Sequence, residues 1–433
     1  MKLSNYTAVT HRQHGVFVTG LLTRSVFELD LETWSRIQTY VEEGICYSDI
    51  EAELYDQLVE SLVLVEDDFD ELGHVMEQTA FARAIGDTFG LVIVPTMGCN
   101  MNCHYCFEDK SDTSSLSRDT VNNLVAFASA QLADDRLKGL HVRWFGGEPL
   151  NNLQLMEDIS GQLKSLCLSI NKQYTADVVT NGFQLTKDVA AKLASNSVNS
   201  VQITFEGDRE YHNRVRFVGQ KGSYDQLIDN ILASSDFFDI RLRIHVAPHT
   251  FERIKSLLSD LAAKGINELV KYVYFAPLFN YDQNKKDTAF NPKPKLFMTS
   301  EDFAACQVEL HRLAKELGFS LPDPLDSDYG VCTALREYTA VVNPDGSLAK
   351  CYMDAGDSKE VYGNLRDGKT NESNQTKWRK MLFANDEECR QCKFAPVCLG
   401  GCAKQVMSGA DKDVICTPLK FNINELVPIH YGS

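Results

Sequence analysis

The sequence predicts an α/β protein built round a partial, TIM-like (β/α)6 barrel, with a small winged-helix-like unit before it and a cysteine-rich unit after it. Three observations predict this. Between residues 90 and 276, six strand-like segments alternate with helical stripes. Upstream of residue 85, a strand, two amphipathic segments and a returning strand make a separate pattern. Downstream of Asp323, hydrophobic periodicity fades and cysteines accumulate. The expected divisions are 1–85, 86–322 and 323–433, in line with the two or three domains that 433 residues suggest.

In the first unit, Gly15 to Leu22 reads as a strand, and Asp30 precedes a segment with Trp34, Ile37 and Val41 on one helical face. Ser48 and Glu51 have capping-box spacing, and Ile50, Leu54, Leu58 and Leu62 recur at four-residue intervals. Val63 to Val65 returns as a strand before the acidic run Asp67 to Glu71. Barrel strands are expected at 91–95, 142–145, 178–180, 201–205, 242–246 and 272–275. Val121, Leu124, Val125, Ala128 and Leu132 mark the first helix, with others near 151–168 and 301–317. Polar Asn280 to Lys295, carrying Pro292 and Pro294, reads as a long loop and candidate substrate lid. In barrels of this kind chemistry sits on loops at the carboxyl ends of the strands.

Hydrophobic residues make up 44% and charged residues 24%, as in ordinary globular proteins. The net charge of −17 argues against nucleic-acid and anionic-membrane partners and describes a solvated acidic surface. No apolar run approaches a membrane span, and Met1 to Arg12 has no apolar signal core, so a cytoplasmic location is expected. Thiols there stay reduced, so the 13 cysteines point to metal rather than disulfides. Ten fall into two sets, at 99–106 and 332–416, while Cys46, Cys167 and Cys306 stand alone and read as small buried hydrophobes.

Cys99-x3-Cys103-x2-Cys106 directly follows the first barrel strand. Three thiolates on one loop can hold three irons of a [4Fe–4S] cube and leave the fourth for a ligand with an amine and a carboxylate. A structural zinc would want four closed ligands, and His104, between two of the cysteines, is badly placed to be the fourth. Gly146-Gly147-Glu148-Pro149 follows the second strand, where glycines permit close backbone approach and a carboxylate suits an ammonium. Alone it is also an ordinary Gly-Pro turn.

Over residues 90 to about 276, these motifs resemble the radical S-adenosylmethionine superfamily. The resemblance implies that S-adenosylmethionine chelates the open iron, and that one electron cleaves it to a 5′-deoxyadenosyl radical that abstracts hydrogen. The cofactor carries that chemistry while the protein orients it and excludes water. By the same resemblance Gly146, Gly147 and Glu148 grip the methionine amino group. Thr180 and Asn181, ending the third strand, line the pocket with Thr204 and Glu206, ending the fourth. Thr204 stands where the family usually has serine. Arg216, in preference to Arg214, meets the methionine carboxylate.

The second set has thirteen residues between Cys332 and Gly346 and four more before Cys351, then Cys389-x2-Cys392-x5-Cys398-x3-Cys402 and finally Cys416. This resembles the seven-cysteine SPASM domain of radical S-adenosylmethionine peptide and sulfatase maturases. The resemblance implies two auxiliary [4Fe–4S] clusters, one held by Cys389, Cys392, Cys398 and Cys416, the other by Cys332, Cys351 and Cys402. Eight sites and seven cysteines leave one iron open or with a non-cysteine ligand. Sulfatase maturases carry an aspartate after the cysteine matching Cys351; here Tyr352 stands there, with Asp354 two further on.

The first unit is similar in outline to precursor-recognition domains, which take a leader peptide as an added strand. The alternative is a cap packed on the barrel. The resulting expectation is a peptide maturase with three [4Fe–4S] clusters that crosslinks a ribosomally made precursor through thioether, carbon–carbon or carbon–oxygen bonds. It would draw electrons from a low-potential flavodoxin- or ferredoxin-type donor. The rivals are a sulfatase-maturase-like enzyme making formylglycine and a non-catalytic iron–sulfur electron carrier.

Overall fold

The structure, a computed structural model, describes residues 1–43, 50–84, 86–278, 297–326, 332–368 and 370–432. Cys46, Ser48 and the expected lid at 280–295 lie outside the described residues.

The amino-terminal unit holds β1 (Lys2–Leu3), β2 (Thr7–His11), β3 (Gly15–Gly20), β4 (Ser25–Asp30), α1 (Leu31–Glu43), α2 (Ala52–Glu60), β5 (Leu64–Val65) and α3 (Glu71–Ala84). β2, β3 and β4 form an antiparallel meander with Val18 between Val9 and Phe27. Alternation places Val16 and Val18 against Trp34 and Ile37 of α1 and Leu58 of α2. The strand expected at 63–65 is present as β5, which pairs antiparallel with β1. Leu62, expected on the helical stripe, lies beyond the end of α2 at a φ of 51°. Among the described residues β4 pairs only with β3, so one of its edges is open.

The barrel region runs through β6 (Thr88–Ile93), α4 (Arg118–Leu132), β7 (Gly139–Trp144), α5 (Leu153–Ser169), β8 (Gln173–Thr180), α6 (Lys187–Ser195), β9 (Val198–Phe205) and α7 (Arg209–Val215). The short hairpin β10 (Phe217–Val218) and β11 (Lys221–Gly222) precedes α8 (Tyr224–Ser234), β12 (Asp239–Val246), α9 (Phe251–Ala263), α10 (Ile266–Leu269), β13 (Tyr272–Pro277) and α11 (Ser300–Glu316). All six expected strands are present, and β13-β12-β9-β8-β7-β6 lie side by side in parallel. Alternate residues of each strand (Val142 and Trp144, Ile203 and Phe205, Leu242 and Ile244) meet Leu124, Ile159, Leu227 and Leu257 from the helices in one core. Truncating one of these to alanine would cost about 2–5 kcal/mol. The intervening residues, among them Arg143, Asp177, Gln202, Thr204, Arg243 and His245, give the other face a polar wall. Cys167 is fully buried in the core, and Cys306 packs against it half-buried.

The carboxyl-terminal region contributes β14 (Thr339–Val342), β15 (Ser347–Ala349), β16 (Gly363–Asn364), α12 (Glu372–Arg379), α13 (Glu387–Gln391), α14 (Ala395–Cys398), α15 (Ala403–Met407), α16 (Lys412–Ile415) and α17 (Leu419–Tyr431). β14 pairs in parallel with β6, Val342 opposite Ile93, and β15 and β16 continue the sheet antiparallel. The sheet therefore crosses the boundary expected at 322/323. Although hydrophobic periodicity fades after Asp323, Ala340, Val342, Leu348 and Tyr362 enter the main core. Its strands are two to four residues long, too short to show a period in sequence. A second core joins the chain ends: Tyr6, Phe17 and Leu21 pack with Val308, Leu419, Ile423 and Leu426. His311 of α11 and His430 of α17 share a hydrogen bond of 2.8 Å.

Candidate active site and cluster sites

β6 delivers the chain to the Cys99–Cys106 loop at the carboxyl end of the sheet. Two backbone bonds hold the entry to this loop, from Met97 to the Ser114 carbonyl and from Leu116 to the Pro95 carbonyl. Gly146 and Gly147, at the end of β7, lie against the same entry. A Cβ on Gly147 would fall 2.3 Å from the Met97 oxygen and 2.6 Å from the Gly98 oxygen. Gly146, at a φ of +122°, would place one 2.7 Å from the Thr96 oxygen. The Gly147 and Glu148 amides then donate to the Thr96 and Gly98 carbonyls. The glycine pair thus seats the cysteine loop, a more specific demand than a generic turn makes.

Glu148 is fully buried. Its carboxylate accepts from Thr180 Oγ1 at 2.7 Å, from the Asn181 amide at 2.7 Å and from the Leu150 amide at 3.0 Å. Burial pushes its carboxyl up, while these donors oppose the shift. The carboxylate expected to face an ammonium is engaged in joining the ends of β7 and β8. Asn181 reaches back to the cysteine loop, its amide donating to Asn100 Oδ1 at 2.6 Å and lying 3.9 Å from Cys99 Sγ.

A second node sits at the ends of β9 and β12. Glu206, 2% exposed, accepts from Tyr105 Oη and pairs with His245 Nδ1 at 2.5 Å. Arg216 donates to Tyr105 Oη at 2.7 Å and stands 3.9 Å from Glu206. Burial would raise the Glu206 carboxyl, but His245, Arg216 and Tyr105 outweigh it and hold it below the ordinary carboxylate range. Arg216 Nε is buried without a hydrogen-bond partner, a spare donor for an incoming carboxylate. Arg214, by contrast, is exposed and lies over the Tyr211 ring. Thr204 is buried two residues before Glu206, in register with Arg243. Tyr105 and His245 escaped the sequence reading. The aromatic position before the last cysteine was the signal for the first, and a lone histidine in an alternating strand gives none.

Among the described residues no three His, Cys, Asp or Glu side chains close round a single metal ion. One zinc would draw its thiolates to about 2.3 Å each, whereas a cubane places each thiolate on its own iron. Burial pushes the Cys106 thiol up to about 12, so its proton would leave only in exchange for metal. Cys389, Cys392, Cys398 and Cys416 line one cavity with Lys412, Phe394 and Phe383. Lys412 Nζ lies 3.0 Å from Cys389 Sγ and 2.8 Å from Asp386. Cys332 and Cys351 share a separate apolar pocket with Ala334, Trp378 and Ala403, next to Cys402. Tyr352 turns from this pocket to Phe145 at the end of β7, ring centroids 5.0 Å apart. The structure thus gathers these cysteines in two groups, and their donor chemistry fits iron–sulfur clusters.

The Radical SAM superfamily model matches residues 93–261. The chain is 22% identical over 331 residues to the radical SAM cyclopropyl synthase TigE of Paramaledivibacter caminithermalis, covering 72% of this chain and 66% of that protein, just under two thirds of its length. It is 25% identical over 351 residues to the cysteine-type anaerobic sulfatase-maturating enzyme of Clostridium perfringens, covering 75% and 91%. In fold it is similar to Streptococcus suis SuiB bound to precursor peptide SuiA, with a TM-score of 0.53 and 15% identity over 96% of this chain and 97% of that one. No helix among the described residues is long and apolar enough to cross a membrane. Residues 93–261, which carry the cysteine loop and both carboxylate nodes, are thus a radical SAM domain.

Proposed function

We propose that the protein is a radical S-adenosylmethionine enzyme that oxidatively crosslinks a ribosomally made precursor peptide. The observation that carries this reading is the convergence of the cysteine triad with Glu148, Glu206 and Arg216 at the carboxyl ends of four neighbouring parallel strands. Bound S-adenosylmethionine and its cluster would supply a 5′-deoxyadenosyl radical for hydrogen abstraction. Cys99, Cys103 and Cys106 would hold that cluster, and the Gly146–Gly147 backbone would meet the cofactor's ammonium. Arg216 Nε would take its carboxylate, and Thr180, Asn181 and Thr204 would line the pocket. Cys389, Cys392, Cys398 and Cys416 would hold one auxiliary cluster, Cys332, Cys351 and Cys402 the other, to receive the electrons the substrate loses.

The open edge of β4 is where an extended leader would add by main-chain pairing. A low-potential flavodoxin or ferredoxin would deliver the reducing electron, in the cytoplasm. Tyr352 in place of a carboxylate disfavours the second reading, formylglycine formation. The test is anaerobic reconstitution followed by reduction. Three cubanes imply roughly 12 irons per chain, and 5′-deoxyadenosine should appear. Changing Cys99, Cys103 and Cys106 together to alanine should abolish that release, and stoichiometric zinc with little iron would overturn the reading. A mass loss of two hydrogens in a co-expressed short peptide encoded beside this gene, with no aldehyde captured by a hydrazide, would separate crosslinking from formylglycine formation, which leaves an aldehyde on the modified side chain.

A further inference from the structure

We infer that Asp354 is the fourth protein ligand of the cluster assigned to Cys332, Cys351 and Cys402, an inference that rests on the cluster reading above. Three thiolates serve three irons of a cubane and leave one to be filled. Cys351 opens the tight turn Tyr352–Asp354, closed by the Asp354 amide donating to the Cys351 carbonyl at 2.9 Å. That bond holds Asp354 three residues from Cys351 within one tight turn. Asp354 is only 1% exposed. Its Oδ2 has no partner, and its Oδ1 is engaged only in an ion pair with Lys404 Nζ at 2.6 Å.

A carboxylate buried with a vacant oxygen is costly unless something cationic meets it. Lys404 itself comes two residues after Cys402, so the ion pair draws the turn carrying Cys351 towards the helix beginning beside Cys402. The carboxylate is therefore tethered to two of the three thiolate positions. Lys404 has a second anion, Glu360, at 3.4 Å, and keeps a counter-ion when Asp354 turns to iron. An oxygen ligand suits iron well, and replacing thiolate by a neutral or harder ligand raises a cluster's potential.

The experiment uses the full chain with Cys99, Cys103 and Cys106 changed to alanine, so that only auxiliary clusters remain. It is reconstituted anaerobically with iron and sulfide, alone and with Asp354→Ala or Asp354→Cys. The parent and Asp354→Cys should each hold roughly eight irons through mild oxidation. Asp354→Ala should lose one iron per chain and show the electron paramagnetic resonance signal of a [3Fe–4S] cluster. Asp354→Cys should also shift one reduction potential to more negative values, which keeps the test open should the alanine variant misfold. Iron content and spectra in Asp354→Ala matching the parent, or an unshifted potential in Asp354→Cys, would overturn the assignment. A parent that binds no iron overturns the cluster reading itself, and the iron count tells the two failures apart.

Discussion

The Tyr105 hydroxyl donates to Glu206 and accepts from Arg216, so one oxygen joins a carboxylate and a guanidinium that stand 3.9 Å apart. Tyr105 belongs to the cysteine loop, and Glu206 lies 101 residues later at the end of β9. The loop is held from two sides, by this bond and by the glycine pair after β7.

Tyr105→Phe keeps the ring and removes that oxygen. Leaving two buried charged groups short of a partner should cost about 1–3 kcal/mol. The melting temperature should fall by a few degrees, and affinity for S-adenosylmethionine should drop because Arg216 is no longer fixed. Calorimetric melts and anaerobic titration check this; unchanged values in both would show that the hydroxyl is dispensable.

Gly147→Ala should displace the cysteine loop, because the new methyl meets backbone oxygens that have no freedom to turn aside. On the three-cluster reading, iron content after reconstitution should fall by about a third. Gly161→Ala is the control. Nothing lies within 4 Å of that position in α5, and the change should stabilise the chain by roughly 0.5–1 kcal/mol.

The docking of α17 on α11 should weaken in acid. Burial, with His430 alongside, pulls His311 down to about 3; burial and Lys315 pull His430 down to about 4. Both are neutral in the fold, whereas the unfolded chain takes up protons near 6.5. Their contribution is whole above pH 6.5 and is lost as pH falls towards 4, at up to about 1.4 kcal/mol per histidine per pH unit. Melting of the metal-free chain between pH 7.5 and 5 should show this slope, and His430→Gln should flatten it. Parallel slopes for the two chains would remove the histidine pair from the explanation.

Lys412 places a positive charge 3.0 Å from Cys389 Sγ. A cation favours the more negative, reduced state of a cluster, so Lys412→Met should lower the potential of the cluster assigned to Cys389, Cys392, Cys398 and Cys416. A charged hydrogen bond of about 1.5 kcal/mol corresponds to roughly 60 mV for one electron. Redox titration followed by electron paramagnetic resonance measures it, and a potential unmoved or raised would contradict the argument.

The barrel strands were legible because each carries apolar residues either in an unbroken run, as in Leu91 to Val94, or in alternation, as in Leu242, Ile244 and Val246. The cysteines and the motif at 146–149 were legible because their chemistry is carried by local spacing. Thr339–Val342 was not, since four residues without flanking alternation look like loop. The helix Glu71–Ala84 was hidden behind the acidic run that begins it. His245 became visible only through its burial and a partner far along the chain, and Asp354, noted two residues after Tyr352, acquired its surroundings only there, which no window of sequence contains. Glu148 shows a third case: the motif singled it out to face an ammonium, whereas its carboxylate ties Thr180 and Asn181 to β7.

The pairing of β14 with β6 has a consequence during synthesis. β6 leaves the ribosome early, and its outer edge stays unsatisfied until residues 339–342 emerge about 250 positions later. At roughly 5–20 residues per second, that edge is open for about 12–50 s. An unpaired strand edge is a template for foreign strands, so the nascent chain is exposed to aggregation throughout that interval. Chains interrupted between β13 and β14 keep the same edge permanently, and should accumulate in the insoluble fraction even though every strand of the radical SAM domain has already been made.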